Sequence, residues 1–350
     1  MPISAVDSIS PALEHTRRQL FGPFRIGQWT KLAFVGLLAG ELGSNGFSRS
    51  NFRLPVHPGA PSPPSFPGTL GVDHALLAAF IASAIIAALA VGIILMYVGS
   101  VMRFVLFDSI VARECHIRWS WNRRLGAGWH YFAWKLVYVL LTVVSIGVLV
   151  GIPLAFAFFK GWITQPKQHL PPLVIGGFVL FLVFVTFLVA TAVILVLTKD
   201  FVIPLMALEN VDTMEGWRRL WPMMMAEKGA YFAYIVMKIV LAIVAGMLIG
   251  IAALIVSLLF AVPAAALSIL AVLTGKAAGL TWNPHTIALA VVVGCILLAF
   301  FLYLVSLVSV PAIVFFPAYS LHFFAGRYPR LRAVLYPAAP VPAGAVPAPR

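Results

Sequence analysis

The chain has 350 residues, 62% hydrophobic and only 10% charged, with a formal net charge of +13. So small a charged fraction excludes an ordinary soluble globule of this length. The positive charge alone would suit a nucleic acid or a membrane surface. Here it sits in short polar segments beside apolar runs of more than about eighteen residues, which is the signature of transmembrane helices. Cys115 and Cys295 form no CxxC and no ligand cluster, so neither a disulfide framework nor a zinc site is indicated. The N-terminus lacks the order of a signal peptide, and residues 1–20 are expected to stay on the chain.

Residues 1–28 read as an amphipathic cytoplasmic segment, in which Ser10-Pro11 opens a short helix through Arg17-Arg18. Trp29–Gly46, with Lys31 and Glu41 toward its ends, is the first and shortest expected span. Residues 47–71 carry Pro55, Pro58, Pro61, Pro63, Pro64 and Pro67 and read as an exposed external loop. The second span is expected over about His74–Phe107. Asp108–His130 follows as a basic, Trp-bearing loop. Its Ile110, Ile117, Trp121 and Leu125 share one helical face, suited to lying flat at the interface. The third and fourth spans are about Tyr131–Phe159 and Leu173–Thr198, joined by the loop Lys160–Pro172. Lys199–Lys228 is a second amphipathic loop. The fifth span starts at Tyr231, and Pro263 should kink or end it, leaving 264–274 as an extension or a surface helix. His285–Phe316 is the sixth, with Pro311 and Pro317 at its end. Residues 331–350 read as a disordered cytoplasmic tail.

One grammar recurs along this path. Trp217-Arg218-Arg219-Leu220-Trp221 precedes Tyr231-Phe232-Ala233-Tyr234 and Lys238. Trp121-Asn122-Arg123-Arg124-Leu125 likewise precedes Tyr131-Phe132-Ala133-Trp134-Lys135, and Arg17-Arg18-Gln19-Leu20 with Trp29-Thr30-Lys31 is a fainter copy. Aligning Tyr131 with Tyr231, with small gaps, sets Phe104-Val105 on Phe201-Val202 and Arg123-Arg124 on Arg218-Arg219. The expected fold is an all-α membrane protein with a single six-helix transmembrane domain over 29–330. Its six spans form three parallel repeats, about 10–107, 108–198 and 199–316, each an amphipathic segment plus a helical hairpin. Of the 24 Lys and Arg residues, Arg49, Arg53, Lys160, Lys167 and Lys276 fall on one side, which leaves 19 on the other. The positive-inside rule places those 19 in the cytoplasm, with both termini.

Trp prefers the headgroup level, and Arg and Lys reach to phosphates there. Arg17, Arg18, Arg123, Arg124, Arg218, Arg219, Lys135, Lys238, Trp121 and Trp217 are therefore expected contacts for anionic lipid headgroups. They would act as a diffuse surface or, if the Arg pairs converge, as one pocket. The spacing GxxxG at Gly36/Gly40, Gly147/Gly151 and Gly246/Gly250 predicts close helix packing, set against the background of a Gly-rich apolar sequence. His15, His57, His74, His116, His130, His169, His285 and His322 show no paired-ligand spacing, and no nucleophile elbow, Walker loop or dinucleotide motif occurs. Glu209, Asp212 and Glu215 are read as capping and charge balance, with Asp212 or Thr213 at a helix start. Ionisable groups near the spans are limited to Glu41, Lys135 and Lys238, all toward span ends, which weighs against ion-coupled transport.

Three tandem hairpins are similar in plan to mitochondrial carriers, but neither Pro153 nor Pro263 is followed by the acidic and basic residues of that family's motif. Phe201-Val202-Ile203-Pro204, Glu215-Gly216-Trp217-Arg218-Arg219-Leu220-Trp221 and Tyr231-Phe232-Ala233-Tyr234 give a pattern that resembles something else. It is similar to uncharacterised bacterial inner-membrane proteins related to the membrane domain attached to some glycerophosphodiester phosphodiesterases. That resemblance implies a polytopic inner-membrane protein and carries over no catalytic residue. The expectation is a non-enzymatic, lipid-interacting or scaffold component of the bacterial envelope, without cofactor or nucleic-acid partner, as a homo-oligomer or with a membrane partner. The alternative is a transporter or permease-like component for a lipid or small molecule.

Overall fold

The computed structural model describes residues 4–22, 24–41, 74–162, 168–277 and 284–337. The Pro-rich loop expected at 47–71 and the tail beyond residue 337 lie outside these. Among the described residues every regular element is a helix. In chain order these are α1 (Ile9–Phe21), α2 (Ile26–Leu38), α3 (His74–Ala112), α4 (Ile117–Phe159), α5 (Leu170–Leu197), a π-helical turn (Thr198–Val202), α6 (Ile203–Glu209), α7 (Thr213–Ala226), α8 (Lys228–Ala277), α9 (Pro284–Val308), α10 (Val310–Ala325) and α11 (Pro329–Leu335). The local causes are legible. Asp212 caps α7 by accepting from the Glu215 amide at 2.9 Å. Pro171 and Pro172 open α5, where their missing amide protons cost nothing.

Five stretches are long and apolar enough to cross a membrane: Ala78–Ala112, Ile117–Phe159, Leu170–Glu209, Lys228–Gly275 and Ala288–Val308. The chain is thus an all-helical, multi-pass membrane protein by length and composition. Five rather than six reach that length among the described residues. The difference is Trp29–Gly46, where α2 stops at Leu38 after 13 residues. That is about 20 Å of helix, short of the roughly 30 Å hydrocarbon core. The spans present their apolar side chains outward: Leu140, Phe178, Phe181, Leu259 and Leu298 are all more than half exposed. Surface of that size and character needs lipid against it.

Three other expectations are revised. The loop expected at Asp108–His130 is almost wholly helical, because α3 runs on to Ala112 and α4 begins at Ile117. Pro263 does not end the fifth span, since α8 continues to Ala277. The last span breaks at Ser309, just before Pro311, and α10 then passes through Pro317.

The helices form two compact units. The first comprises Met1–Arg25, Phe104–Ile239 and Val314–Arg350. It holds the largest fully buried side chains, Tyr231, Tyr234, Tyr319, Phe104, Phe201, Phe316, Phe323 and Phe324. Phe201 is its hub, with ring centroids of Tyr234, Phe324, Tyr231 and Phe323 at 5.0, 5.2, 5.3 and 5.9 Å. Such ring pairs add about 0.5–1.5 kcal/mol each beyond area burial. Two ring contacts in this unit share one geometry. Phe104 meets Tyr131 edge to face at 81°, and Phe201 meets Tyr231 edge to face at 82°. Arg113 and Asn210, which the Phe104–Phe201 offset also pairs, end their helices with φ of 58° and 53°.

The second unit comprises Ile26–Arg103 and Val240–Ile313. In it α2 packs against α9, with Thr30 Oγ1 and Tyr303 Oη 3.0 Å apart. A Cβ at Gly36 would lie 2.5 Å from Ile313 Cγ2, and one at Gly99 would lie 2.6 Å from the Leu38 carbonyl oxygen. Gly40 adopts φ +75°, a turn conformation that suits glycine. A Cβ at Gly147, Gly151 or Gly250 would meet open space within this chain. The recurring GxxxG spacing therefore does not mark one shared intramolecular contact, because these glycines lie on outward faces.

Gly99→Ala should cost about 1–3 kcal/mol, since a backbone oxygen cannot give way as a side-chain end can. Gly147→Ala should be neutral or mildly stabilising through helix propensity. Chemical unfolding of the two variants in detergent checks this, and equal stabilities would contradict the packing at Gly99.

Candidate functional site

Carboxylates and bases meet inside the first unit, and they come from segments far apart in sequence. Arg124, only 5% exposed, donates from Nε and Nη2 to the two carboxylate oxygens of Asp108 at 2.9 and 2.7 Å. Its Nη1 donates to the Ala207 carbonyl at 2.6 Å. One guanidinium thus ties α4 to the end of α3 and to α6, in the bidentate geometry only arginine provides. Glu209, at the end of α6, receives Arg219 of α7, Arg330 of α11 at 3.3 Å, and the Tyr328 hydroxyl. Burial raises the Tyr328 pKa, opposed by Arg330 and Arg219, so it stays a donor at neutral pH. Arg327 pairs with Glu227 at 2.8 Å and lies 4.0 Å over the Phe323 ring.

The most enclosed carboxylate of this unit is Asp200, in the π-helical turn. It accepts from the Tyr234 hydroxyl at 2.9 Å and from Lys238 Nζ, with the side chains of Asp200 and Lys238 3% and 13% exposed. Tyr319 stacks on Tyr234 at 5.3 Å, and its hydroxyl donates to the Ala5 carbonyl at 3.0 Å. Burial first and the Asp200 carboxylate second raise the Tyr319 pKa, which keeps that proton in place. A π-turn shifts helical register by a fraction of a turn. Here the shifted turn carries Asp200, whose carboxylate meets α8.

A matching pair is present in the second unit. Arg103 donates to Glu41 at 2.6 Å and to the Ala39 carbonyl, with Glu41 almost wholly buried.

The expected headgroup contacts divide accordingly. Arg124 and Lys238 reach inward to carboxylates and are corrected from lipid contacts to internal ties, while Arg219 stays exposed and pairs with Glu209 and with Glu215 of its own helix. Trp121 and Trp217 are half-buried, and the Trp217 indole N–H is enclosed without a hydrogen-bond partner. Lys135 is half-buried on α4. Arg17, Arg123 and Arg218 are exposed, with Arg123 5.0 Å over the ring of exposed Trp119 and Arg218 3.6 Å from Glu215. Arg18 is exposed and pairs with Glu14 on its own helix. In both later copies the first arginine of the pair faces out and the second reaches back to a carboxylate on a preceding helix.

Sequence reasoning missed Asp108, Asp200, Glu227, Arg327 and Tyr328. Their partners are 16 to 119 residues away, beyond any local spacing rule. The available signal was an isolated acid next to an apolar run, as at Asp108 and Asp200, which is costly unless paired. No set of three or more His, Cys, Asp or Glu residues suited to a metal ion occurs among the described residues.

No curated protein and no solved structure matches this chain. A family of unknown function does match, over residues 3–334. By that match, which covers nearly the whole of it, the chain belongs to DUF7544, a family of unknown function.

Proposed function

We propose that this is a non-enzymatic, lipid-interacting scaffold component of the bacterial inner membrane. In this reading the first unit gathers the basic segments at the cytoplasmic face. The observation that carries it is the set of exposed basic and aromatic residues at the start of α4, where Arg123 covers Trp119 and Trp129 is exposed further along the helix. Trp at the headgroup level with arginine above it is the usual interfacial pairing. α1 offers a second such face, with Leu13, Arg17 and Phe21 exposed four residues apart while Ala12, His15, Gln19 and Leu20 are buried. The partner is an anionic leaflet, which attracts each nearby Arg by about 1 kcal/mol. The inward arginines leave too few convergent cations for one phosphate pocket, so the contact is diffuse. The resemblance to the membrane domain of phosphodiesterases rests on the three quoted motifs and fits this role.

The matched Phe–Tyr pairs and the matched left-handed residues support a repeat organisation for the two later copies. For topology, both termini are taken as cytoplasmic. Support comes from His15 donating to the Ile110 carbonyl and Tyr319 to the Ala5 carbonyl, which group α1 with the end of α3 and with α10. With the five long helices, that orientation requires one further crossing before α3 to keep the number even. Alkaline phosphatase fused after residue 60 should be active, and fused after residue 215 or 330 inactive. An active fusion at 330 would reject this orientation.

Native mass spectrometry tests the lipid role. The variant Arg17→Gln/Arg123→Gln/Arg218→Gln should retain several-fold less copurifying phosphatidylglycerol and cardiolipin than wild type. The corresponding triple Lys variant should retain the wild-type amount, since a diffuse surface needs charge and not a fork. Loss in the Lys variant would argue for a bidentate pocket, and retention in the Gln variant would remove the proposal.

A further inference from the structure

Two histidines, 307 positions apart, meet inside the first unit. His15 of α1 and His322 of α10 are 4% and 5% exposed, and their rings touch edge to face with centroids 5.5 Å apart. Each ring is also a fastening. His15 Nε2 lies 3.0 Å from the Ile110 carbonyl, which can only accept, so that nitrogen carries the proton and ties α1 to α3. His322 Nδ1 lies 2.7 Å from the Tyr336 hydroxyl, just beyond α11, and ties α10 to the C-terminal segment. His322 Nε2 is buried without a partner. No acceptor therefore waits there for the second proton that an imidazolium would carry.

The charged and titratable groups around the pair offer no help to a positive ring. Each histidine faces the other. Arg113, at the left-handed end of α3, acts on both, and Tyr336 from the C-terminal segment has Arg332 beyond it. Hydrogen bonds to the Ile110 carbonyl and to Gln19 favour a charged His15 ring, but burial and Arg113 outweigh them. None of these is a carboxylate. The enclosed bases of this unit, by contrast, meet carboxylates, as at Asp108, Asp200 and Glu209.

We propose that the His15–His322 contact is a proton-sensitive latch, closed when both rings are neutral, that releases α1 and the C-terminal segment from the rest of the unit on acidification. The ligand of the site is the proton. The proposal is independent of the lipid reading, because it depends on contacts inside the unit and not on its exposed basic and aromatic residues.

The direction follows from where each state takes up its proton. Burial, then His15 and then Arg113, hold the His322 pKa down to about 4, against 6.5 for a released histidine. Burial and Arg113 lower His15 as well. Above pH 6.5 both states are neutral and the latch keeps its full strength. As pH falls below 6.5 the open state takes the proton first, so closure weakens until the folded value is passed. For His322 alone, the open-to-closed ratio should rise about 25-fold between pH 7.5 and pH 5.

The test is a distance measurement on the full chain in lipid nanodiscs. Spin labels go at Leu13→Cys and Val334→Cys, both exposed positions, with Cys115 and Cys295 replaced by Ser. At pH 7.5 one narrow distance is expected. By pH 5 a broad second population should appear, with its midpoint between pH 4 and 6.5. His15→Phe/His322→Phe keeps two rings but cannot take a proton, and should show no pH response. Arg113→Asn, which suits the positive φ there, removes the nearby cation and should make the response smaller. An unchanged wild-type distribution across this range overturns the proposal whether or not the variants fold. So does a pH response that survives in the double Phe variant.

Discussion

An ion enclosed among apolar helices costs several kcal/mol unless its counter-ion and hydrogen bonds come with it. Much of the described structure follows from that constraint. Asp108, Asp200 and Glu209 are enclosed at the ends of long apolar helices, and each meets a base that the chain supplies from another segment. The pairs do more than neutralise charge. Arg124 joins α3, α4 and α6 through one planar group, and Glu209 gathers α7, Tyr328 and α11. The membrane-crossing lengths show few enclosed side chains, and a buried aromatic cluster gathers around Phe201 and the tyrosines of α8 and α10.

This arrangement resolves an ambiguity in the basic sequence. A pair of adjacent arginines on a helix points its two side chains about 100° apart. One can face solvent or headgroups while the other turns inward. Arg123 and Arg218 take the first role and Arg124 the second, while Arg219 lies exposed and reaches back to Glu209. On the proposed reading the same motif serves attachment to the bilayer surface and internal cohesion, and the net charge of +13 overstates what would face lipid. The latch proposed at His15 and His322 fits beside this network as an enclosed ring contact without a carboxylate.

What the sequence made legible were features set by local composition. Apolar runs marked the five long helices, Asp212 marked the start of α7, and the aromatic and arginine grammar marked the segments that gather in the first unit. Features set by distant partners were not legible. Nothing near Glu209 in sequence announces Tyr328, and nothing near Asp200 announces that a π-helical turn will carry it to Lys238. Trp29–Gly46 is apolar enough for a span, yet Gly40 turns the chain and Glu41 is drawn to Arg103. GxxxG misled for a related reason. Its spacing guarantees a small stripe on a helix, but whether a neighbour fills it depends on tertiary packing, as Gly36 against Ile313 and Gly151 against open space show.

The central claim is that the inward arginines hold the first unit together by pairing with buried carboxylates. A double-mutant cycle on Asp108→Asn and Arg124→Leu, read by chemical unfolding in detergent, tests it directly. The account predicts that Asp108→Asn alone costs about 3 kcal/mol, because it leaves a guanidinium enclosed without its counter-ion. The double variant should then recover much of that loss, giving a coupling of more than about 1.5 kcal/mol. Additivity of the two changes to within about 0.5 kcal/mol would contradict it.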